Sequence, residues 1–460
     1  MKQLVVLFIS LSFLMAGGCT PKDKEIRSKQ DNRETILAAR PPMGWNSWIC
    51  FGASVTEEEV KANTDFMAER LKEFGWEYIV IDAGWYAPGM VHLKQYEAEN
   101  PYQLIDQYGR LIVDTEKFPS AAIDGKGLKS LANYIHSKGL KLGIHIMRGI
   151  PVQAVEQNTP IKGTSYRARD IINPDSRCQW YRGFYGIDMS KPGAQEYYNS
   201  ILELYASWGV DYIKADDLLW PIYAHDEIEA IAEAIRQVDR PILLSLSPGP
   251  APTENVKHMK SVAQMWRISA DFWDNWKELK EQFVLCRKWQ SHVSEGHWAD
   301  ADMLPIGPMA QRAMRGAPRA TNFTIDEQYT LMSLWAVFRS PLMLGCNLPE
   351  IDDFTLSLIT NKEVLELNQY TINNRELFER DGVIAWYAQN ESKDVHYVAI
   401  FNTTDKDIND YIFSLQEINY IGRAFVKELW SSEEVPVQDN GVKLSINKHG
   451  AIIIKIQSSK

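Results

Sequence analysis

Four short stretches of the chain each end or turn on an acid. Tyr78-Ile79-Val80-Ile81-Asp82, Asp211-Tyr212-Ile213-Lys214-Ala215-Asp216, Trp266-Arg267-Ile268-Ser269-Ala270-Asp271 and Trp298-Ala299-Asp300-Ala301-Asp302 share this form. In a strand, alternate side chains point to opposite faces. If Ile79 and Ile81, and likewise Ile213 and Ala215, face one way, then Asp82, Lys214 and Asp216 face the other. The same alternation in Leu140 to Met147 sets Leu142, Ile144 and Ile146 against His145. A strand-end Asp is often only a helix cap, and Asp217 suits that role better than Asp216. A lone His, Lys or Arg here is equally at home in a buried polar network. Convergence of several acids on the same strand ends is what favours chemistry. Two carboxylates in an aromatic-rich cavity can break a glycosidic bond, one attacking the anomeric carbon and the other protonating the leaving oxygen. A neighbouring Lys or Arg keeps the attacking carboxylate ionised.

These acids need a scaffold that brings many strand ends together. Strand-like runs at Met43 to Trp48, Trp76 to Asp82, Leu140 to Met147, Asp211 to Asp216, Pro241 to Ser247, Ser261 to Arg267, His297 to Asp300 and Pro341 to Leu344 alternate with helical patterns. The helical patterns run over Glu57 to Phe74, Gly127 to Ser137, Ala194 to Trp208, Glu227 to Val238, Trp273 to Trp289 and Ile325 to Phe338. Eight such units predict an α/β fold of the (β/α)8 barrel type, with its site at the carboxyl ends of the strands. An open doubly wound sheet would need a Gly-rich phosphate loop after its first strand, and none is there. Beyond about Leu367 the texture changes to β-rich runs separated by Asn, Asp, Gly and Lys turns. Gly382 to Tyr387, Val395 to Asn402, Ala424 to Trp430 and Ala451 to Ile456 predict an antiparallel β-sandwich. The expected division is 40–366 for the barrel and 367–460 for the sandwich.

The amino terminus reads as an export segment. Lys2 precedes an apolar run from Leu4 to Met15, then Ala16-Gly17-Gly18-Cys19. The run is shorter than the ~20 residues a spanning helix needs. Residues 1–18 are expected to be a signal peptide of lipoprotein type, with Cys19 lipidated and 19–39 a polar tether. That places the protein in a bacterial cell envelope, on the membrane only through its anchor. Pairing of Cys50, Cys178, Cys286 and Cys346 is not decided by their spacing. A net charge of −11 without a basic stripe argues against nucleic acid. No Cys-x-x-Cys, His-Glu-x-x-His or Gly-x-Ser-x-Gly occurs. A structural zinc site, a metallohydrolase and a serine hydrolase are therefore not expected.

Pro41-Pro42-Met43-Gly44-Trp45-Asn46-Ser47-Trp48, Tyr78 to Trp85, Lys214-Ala215-Asp216, Trp266 to Asp271 and Trp298 to Leu304 resemble, in order, the motifs of glycoside hydrolase family 27, the α-galactosidase/melibiase family. Ser340 to Gln369 resembles the end of that family's barrel. The resemblance implies a retaining glycosidase with Asp216 as nucleophile and Asp271 as acid/base. It implies that Trp48, Asp82, Lys214, Arg267 and Asp302 contact the sugar; His145 joins them by its inward position. No cofactor and no metal are implied. The expected partner is an α-linked oligo- or polysaccharide with a terminal α-D-galactosyl residue. Relatives with other specificities cleave β-L-arabinopyranosides, α-N-acetylgalactosaminides or isomaltose units of dextran. A barrel that only binds glycans would not need both acids.

Three positions depart from the family pattern. Asp82 is followed by Ala83, where members carry a second acid for the galactose hydroxyls. Asp217-Leu218 follows the nucleophile in place of a Cys-containing step with its disulfide. Ser245-Leu246-Ser247-Pro248-Gly249-Pro250 stands at the fifth strand. Three outcomes follow: another acceptor comes from Asp106 or Asp114 in the segment Met90 to Phe118 or from the Ser247 to Pro250 turn, or galactose and glucose are told apart less sharply than in typical members, or Asp82 alone suffices and Ala83 only packs.

Overall fold

The computed structural model describes residues 36–90, 101–313 and 315–459. The expected signal segment, Cys19 and most of the tether lie outside the described residues. Eight parallel strands form one sheet: β1 (Met43–Asn46), β2 (Tyr78–Ile81), β3 (Lys141–Met147), β4 (Tyr212–Asp216), β5 (Leu243–Leu246), β6 (Met265–Arg267), β7 (Trp298–Asp300) and β8 (Leu342–Leu344). Their order is β7-β6-β5-β4-β3-β2-β1-β8. The sheet closes on itself just past β7, where Leu304 N donates to Met343 O at 2.7 Å and Gly345 N to Leu304 O at 3.1 Å. The result is the expected (β/α)8 barrel.

Alternation along the strands sorts the side chains as a closed barrel requires. Ile79, Ile81, Leu142, Ile144, Ile146, Ile213 and Ala215 pack outward into the core shared with the helices. Tyr78, Val80, Tyr212, Leu243, Met265, Trp298 and Met343 form a separate cluster inside the barrel. Tyr78 and Tyr212 meet there with ring centroids 5.4 Å apart. Two glycines make room for these tyrosines. A Cβ on Gly44 would lie 2.7 Å from Tyr78 Cβ, and one on Gly143 2.9 Å from Tyr212 Cδ1.

The main helices of the barrel are α1 (Glu57–Phe66), α2 (Lys129–Ser137), α3 (Ala194–Trp208), α4 (His225–Arg236), α5 (Val256–Val262), α6 (Trp276–Trp289) and α7 (Ile325–Phe338). Sequence signals set their starts. Thr56 with Glu59, and Thr324 with Glu327, form capping boxes that satisfy the first orphan N–H groups of α1 and α7. A small antiparallel sheet (Ile150–Pro151, Ile172–Arg177, Phe184–Ile187) is inserted between β3 and α3. The helices α8 (Asp353–Thr360) and α9 (Lys362–Tyr370) follow β8, and α9 carries the chain across the expected 366/367 division.

From Thr371 the chain is β-rich. Five strands pair as β9 (Thr371–Arg380), β10 (Val383–Asn390), β11 (Val395–Asn402), β16 (Ala451–Ser458) and β13 (Ala424–Glu428). A second sheet orders β12 (Ile408–Ser414), β15 (Gly441–Ile446) and β14 (Val437–Gln438). Val383, Ala385, Val398, Ile400, Phe413, Val442, Leu444 and Ile454 fill the space between the two sheets. The other face of the larger sheet, with Ile384, Trp386, Ala399, Phe401 and Ile453, joins the barrel core. Being covered on both faces, β10 and β11 read as near-continuous apolar runs.

Candidate active site

The carboxyl ends of the strands carry the site. Asp216 is the last residue of β4, Arg267 of β6 and Asp300 of β7, and Asp82 follows β2 directly. Asp216 is buried, and each of its oxygens has a donor. His145 Nε2 lies 3.0 Å from Oδ2, and the Asp217 N–H donates to Oδ1 at 3.1 Å. Burial alone would push this carboxyl up. The hydrogen bond from His145 and the charge of Lys214 outweigh it and hold Asp216 below the usual carboxylate range.

Lys214 Nζ donates to Asp82 Oδ2 at 2.8 Å. Asn46 Nδ2 donates to the same oxygen at 2.7 Å, and Oδ1 accepts the Ala83 N–H at 2.8 Å. Despite full burial, Asp82 is held far below the ordinary range, chiefly by the Lys214 charge. Burial would deprotonate Lys214, but Asp82 and Asp216 raise it. Asn46 Oδ1 also accepts the Trp48 N–H at 2.9 Å, so one amide fixes both Asp82 and the start of the loop bearing Trp48.

A second group faces this one. Arg267 donates through Nη2 to Asp271 Oδ1 and through Nη1 to Asp302 Oδ1, each at 2.6 Å. Asp302 Oδ2 accepts the Phe272 N–H at 2.8 Å. Asp302 itself sits at φ +88°, and its N–H donates to Asp300 Oδ1 at 2.9 Å. Asp271 is the open member: its side chain is 53% exposed, against 11% for Asp216. Lys214 interacts electrostatically with Arg267 and Asp300, so the two groups share one mouth. The turn Ser247-Pro248-Gly249-Pro250 presses against the loop that leads to Asp271; a Cβ on Gly249 would lie 2.2 Å from Ser269 O.

The structure thus gathers His145, Asp216, Lys214 and Asp82 in one network, and Arg267, Asp271 and Asp302 in another. Sequence reasoning missed three members. Asn46 stood in the first motif, but nothing there marked it as the partner of Asp82. Asp300 was seen without a role. Arg148, one residue past β3, was not singled out. Its Nη2 donates to Asp217 Oδ2 at 2.8 Å, its Nε to Asp217 O at 2.8 Å, and its Nη1 to Glu227 Oε1 at 2.6 Å. Asp217 is therefore not a helix cap: α4 starts at His225 with Ala224 as its cap position. At φ +63°, Asp217 turns its side chain back under Asp216 into the Arg148 fork. This ion-pair clamp stands where the family pattern has a disulfide, and Cys50, Cys178, Cys286 and Cys346 are all free and buried.

Of the candidate replacement acceptors, Asp106 is engaged through both oxygens, and Asp114 is buried in its own turn. Asp106 binds Arg110 Nε at 2.8 Å and caps its own turn. Asp114 accepts the Glu116 N–H at 3.0 Å within a buried turn. Ala83 itself is 1% exposed.

Comparison with known proteins agrees with this geometry. The family profile described as alpha galactosidase A matches residues 40–155 and 186–370. The gap spans most of the small inserted sheet. Alpha-galactosidase A of Cellvibrio japonicus is 27% identical over 449 residues, covering 91% of this chain and 92% of that protein. The crystal structure of a GH27 β-L-arabinopyranosidase from Geobacillus stearothermophilus is 45% identical, with a TM-score of 0.88 over 92% of this chain and 97% of that one. A putative α-N-acetylgalactosaminidase from Bacillus halodurans is 41% identical, with a TM-score of 0.81 over 91% and 97%. Fold and site together define a glycosidase built on a (β/α)8 barrel. The chain belongs to glycoside hydrolase family 27, the α-galactosidase family.

Proposed function

We propose that the protein is a retaining glycosidase that removes terminal sugars of the galacto configuration by double displacement, and that it prefers β-L-arabinopyranosides to α-D-galactosides. The pairing of a buried, ionised Asp216 with a half-exposed Asp271 supports the first part. In the first step Asp216 attacks the anomeric carbon while Asp271 gives its proton to the departing oxygen. In the second, the Asp271 carboxylate takes a proton from water, and that water's oxygen displaces Asp216. His145 and the Asp217 N–H fix the plane of the nucleophile. Arg267 Nη2, 2.6 Å from Asp271 Oδ1, holds the Asp271 carboxyl in position. Trp48, Asp82, Lys214, Arg267 and Asp302 surround the sugar.

One observation carries the choice of sugar: Ala83 occupies the place of the second acid. α-D-Galactose and β-L-arabinopyranose share their ring stereochemistry, but only galactose carries the C6 hydroxymethyl. A methyl group accepts no hydrogen bond from that hydroxyl, and a charge-assisted bond of this kind is worth about 1.5–3 kcal/mol. The 45% identity to the Geobacillus arabinopyranosidase supports the same choice. The α-galactosidase reading draws on the family profile and the Cellvibrio relative. Specificity constants on paired aryl β-L-arabinopyranoside and α-D-galactoside decide between them: an arabinoside preference is expected, and a clear galactoside preference overturns it. We further propose that Cys19 carries a lipid and tethers the enzyme to a bacterial envelope, supported by Lys2, the apolar run and Ala16-Gly17-Gly18-Cys19. Mass spectrometry of the membrane fraction tests this.

A further inference from the structure

Away from the two acids, one cluster among the described residues has the donor set of a transition-metal site. His225 and Glu229 stand one turn apart on α4, and His258 meets them from α5. One ring nitrogen of each histidine and one carboxylate oxygen of Glu229 lie within 4.8 Å of one another. The two imidazoles overlap, with centroids 4.0 Å apart and planes 21° apart.

Each ring is already held through its Nδ1. His258 Nδ1 is 2.5 Å from the Tyr223 hydroxyl, and His225 Nδ1 is 2.9 Å from Asp226 Oδ1. Both rings thereby keep Nε2 for a further ligand, the arrangement by which outer partners orient metal-binding histidines. His258 Nε2 lies 3.0 Å from Glu229 Oε1.

We infer that His225, Glu229 and His258 form a binding site for one divalent transition-metal ion of the zinc class, with water completing its shell. Two imidazoles and one carboxylate suit zinc, whereas calcium and magnesium seek oxygen ligands alone. The inner side of the site is fixed, with the His258 side chain 13% exposed, and the outer side is open, with His225 at 55%. His225 can therefore swing out of the stacked pose to close on an ion. The site lies beside the loop that follows the nucleophile. That loop ends at Tyr223 and carries the exposed Trp220 and Ile222. A bound ion would tie α4, and this loop with it, to α5. No catalytic step passes through it. The sequence hid the site because His258 lies far along the chain from the His225/Glu229 pair.

The test is zinc titration of the tag-free, chelator-treated protein by calorimetry, with thermal melting alongside. One equivalent is expected to bind with a low-micromolar dissociation constant and to raise Tm at saturation. His225→Ala and Glu229→Gln should each weaken binding by about tenfold or more and shrink the Tm rise at a fixed zinc concentration. His225 is exposed, so its variant leaves the fold intact even if His258→Ala does not. Absence of zinc binding, or binding equal in wild type and both variants, overturns the assignment.

Discussion

His145 Nε2 meets Asp216 Oδ2 at 3.0 Å across adjacent strands, with His145 opposite Lys214 in the β3–β4 register. The candidate nucleophile thus meets an imidazole from the adjacent strand and the charge of a lysine on its own strand. Asp216→Asn should keep the fold and sugar binding but lose at least about three orders of magnitude in kcat. A folded variant that retains more than about a tenth of the rate, a barrier change below roughly 1.4 kcal/mol, contradicts the assignment.

Asp271→Ala should slow substrates with poor leaving groups far more than activated aryl glycosides, because activated groups leave without protonation. Azide should restore the second step by attacking the glycosyl-enzyme. Equal losses on both substrate classes, with no azide effect, would show that another group supplies the proton.

Asp216 and Asp82 are both held below the ordinary carboxylate range. Such groups stabilise the fold fully above their unfolded pKa of about 3.9, and the contribution is lost as pH falls through the lower folded value. The nucleophile therefore stays ionised in mild acid, and the acid limb of kcat/KM is expected below about pH 4. Lys214→Gln removes one cause of the lowering, so the limb should move toward neutral pH. A pH–rate profile unchanged in the variant would contradict this.

Arg148 offers a test of the clamp. Removing one partner of a buried ion pair costs about 3–5 kcal/mol. Arg148→Met leaves Asp217 and Glu227 without it. Asp217 is already pushed up to about 6 by burial, offset in part by Arg148, and would rise further in the variant. A raised carboxyl binds more protons folded than unfolded, so the stability loss should be larger at pH 8 than at pH 5. Denaturant melts at the two pH values measure this, and a loss independent of pH would contradict it.

Much of this arrangement was legible in the sequence. Alternation in Asp211 to Asp216 and in Tyr78 to Asp82 is a local property, so the inward placement of Asp82, Lys214 and Asp216 followed from period alone. The partners of those residues come from other strands, and no period reports them. Asn46 reaches Asp82 from β1, and Arg148 reaches Asp217 from the end of β3. Alternation turns Asp217 away from Asp216 and so suggests a cap; a positive φ and an arginine from another strand decide otherwise. In the β-rich part, β9, β12, β14 and β15 escaped notice. Thr371–Arg380 and Ile408–Ser414 are polar and half-exposed, without the apolar run that marked Val395–Asn402.

The most direct test of the central claim is to trap the glycosyl-enzyme with a slow fluorinated arabinosyl or galactosyl substrate and locate the label by peptide mass spectrometry. Trypsin cuts after Lys214 and next after Arg236, so the nucleophile falls in one peptide, Ala215–Arg236. The account predicts a single glycosyl adduct in that peptide, on Asp216, that is absent from Asp216→Asn. A covalent adduct on any other residue, or turnover with inversion and no adduct, would contradict it.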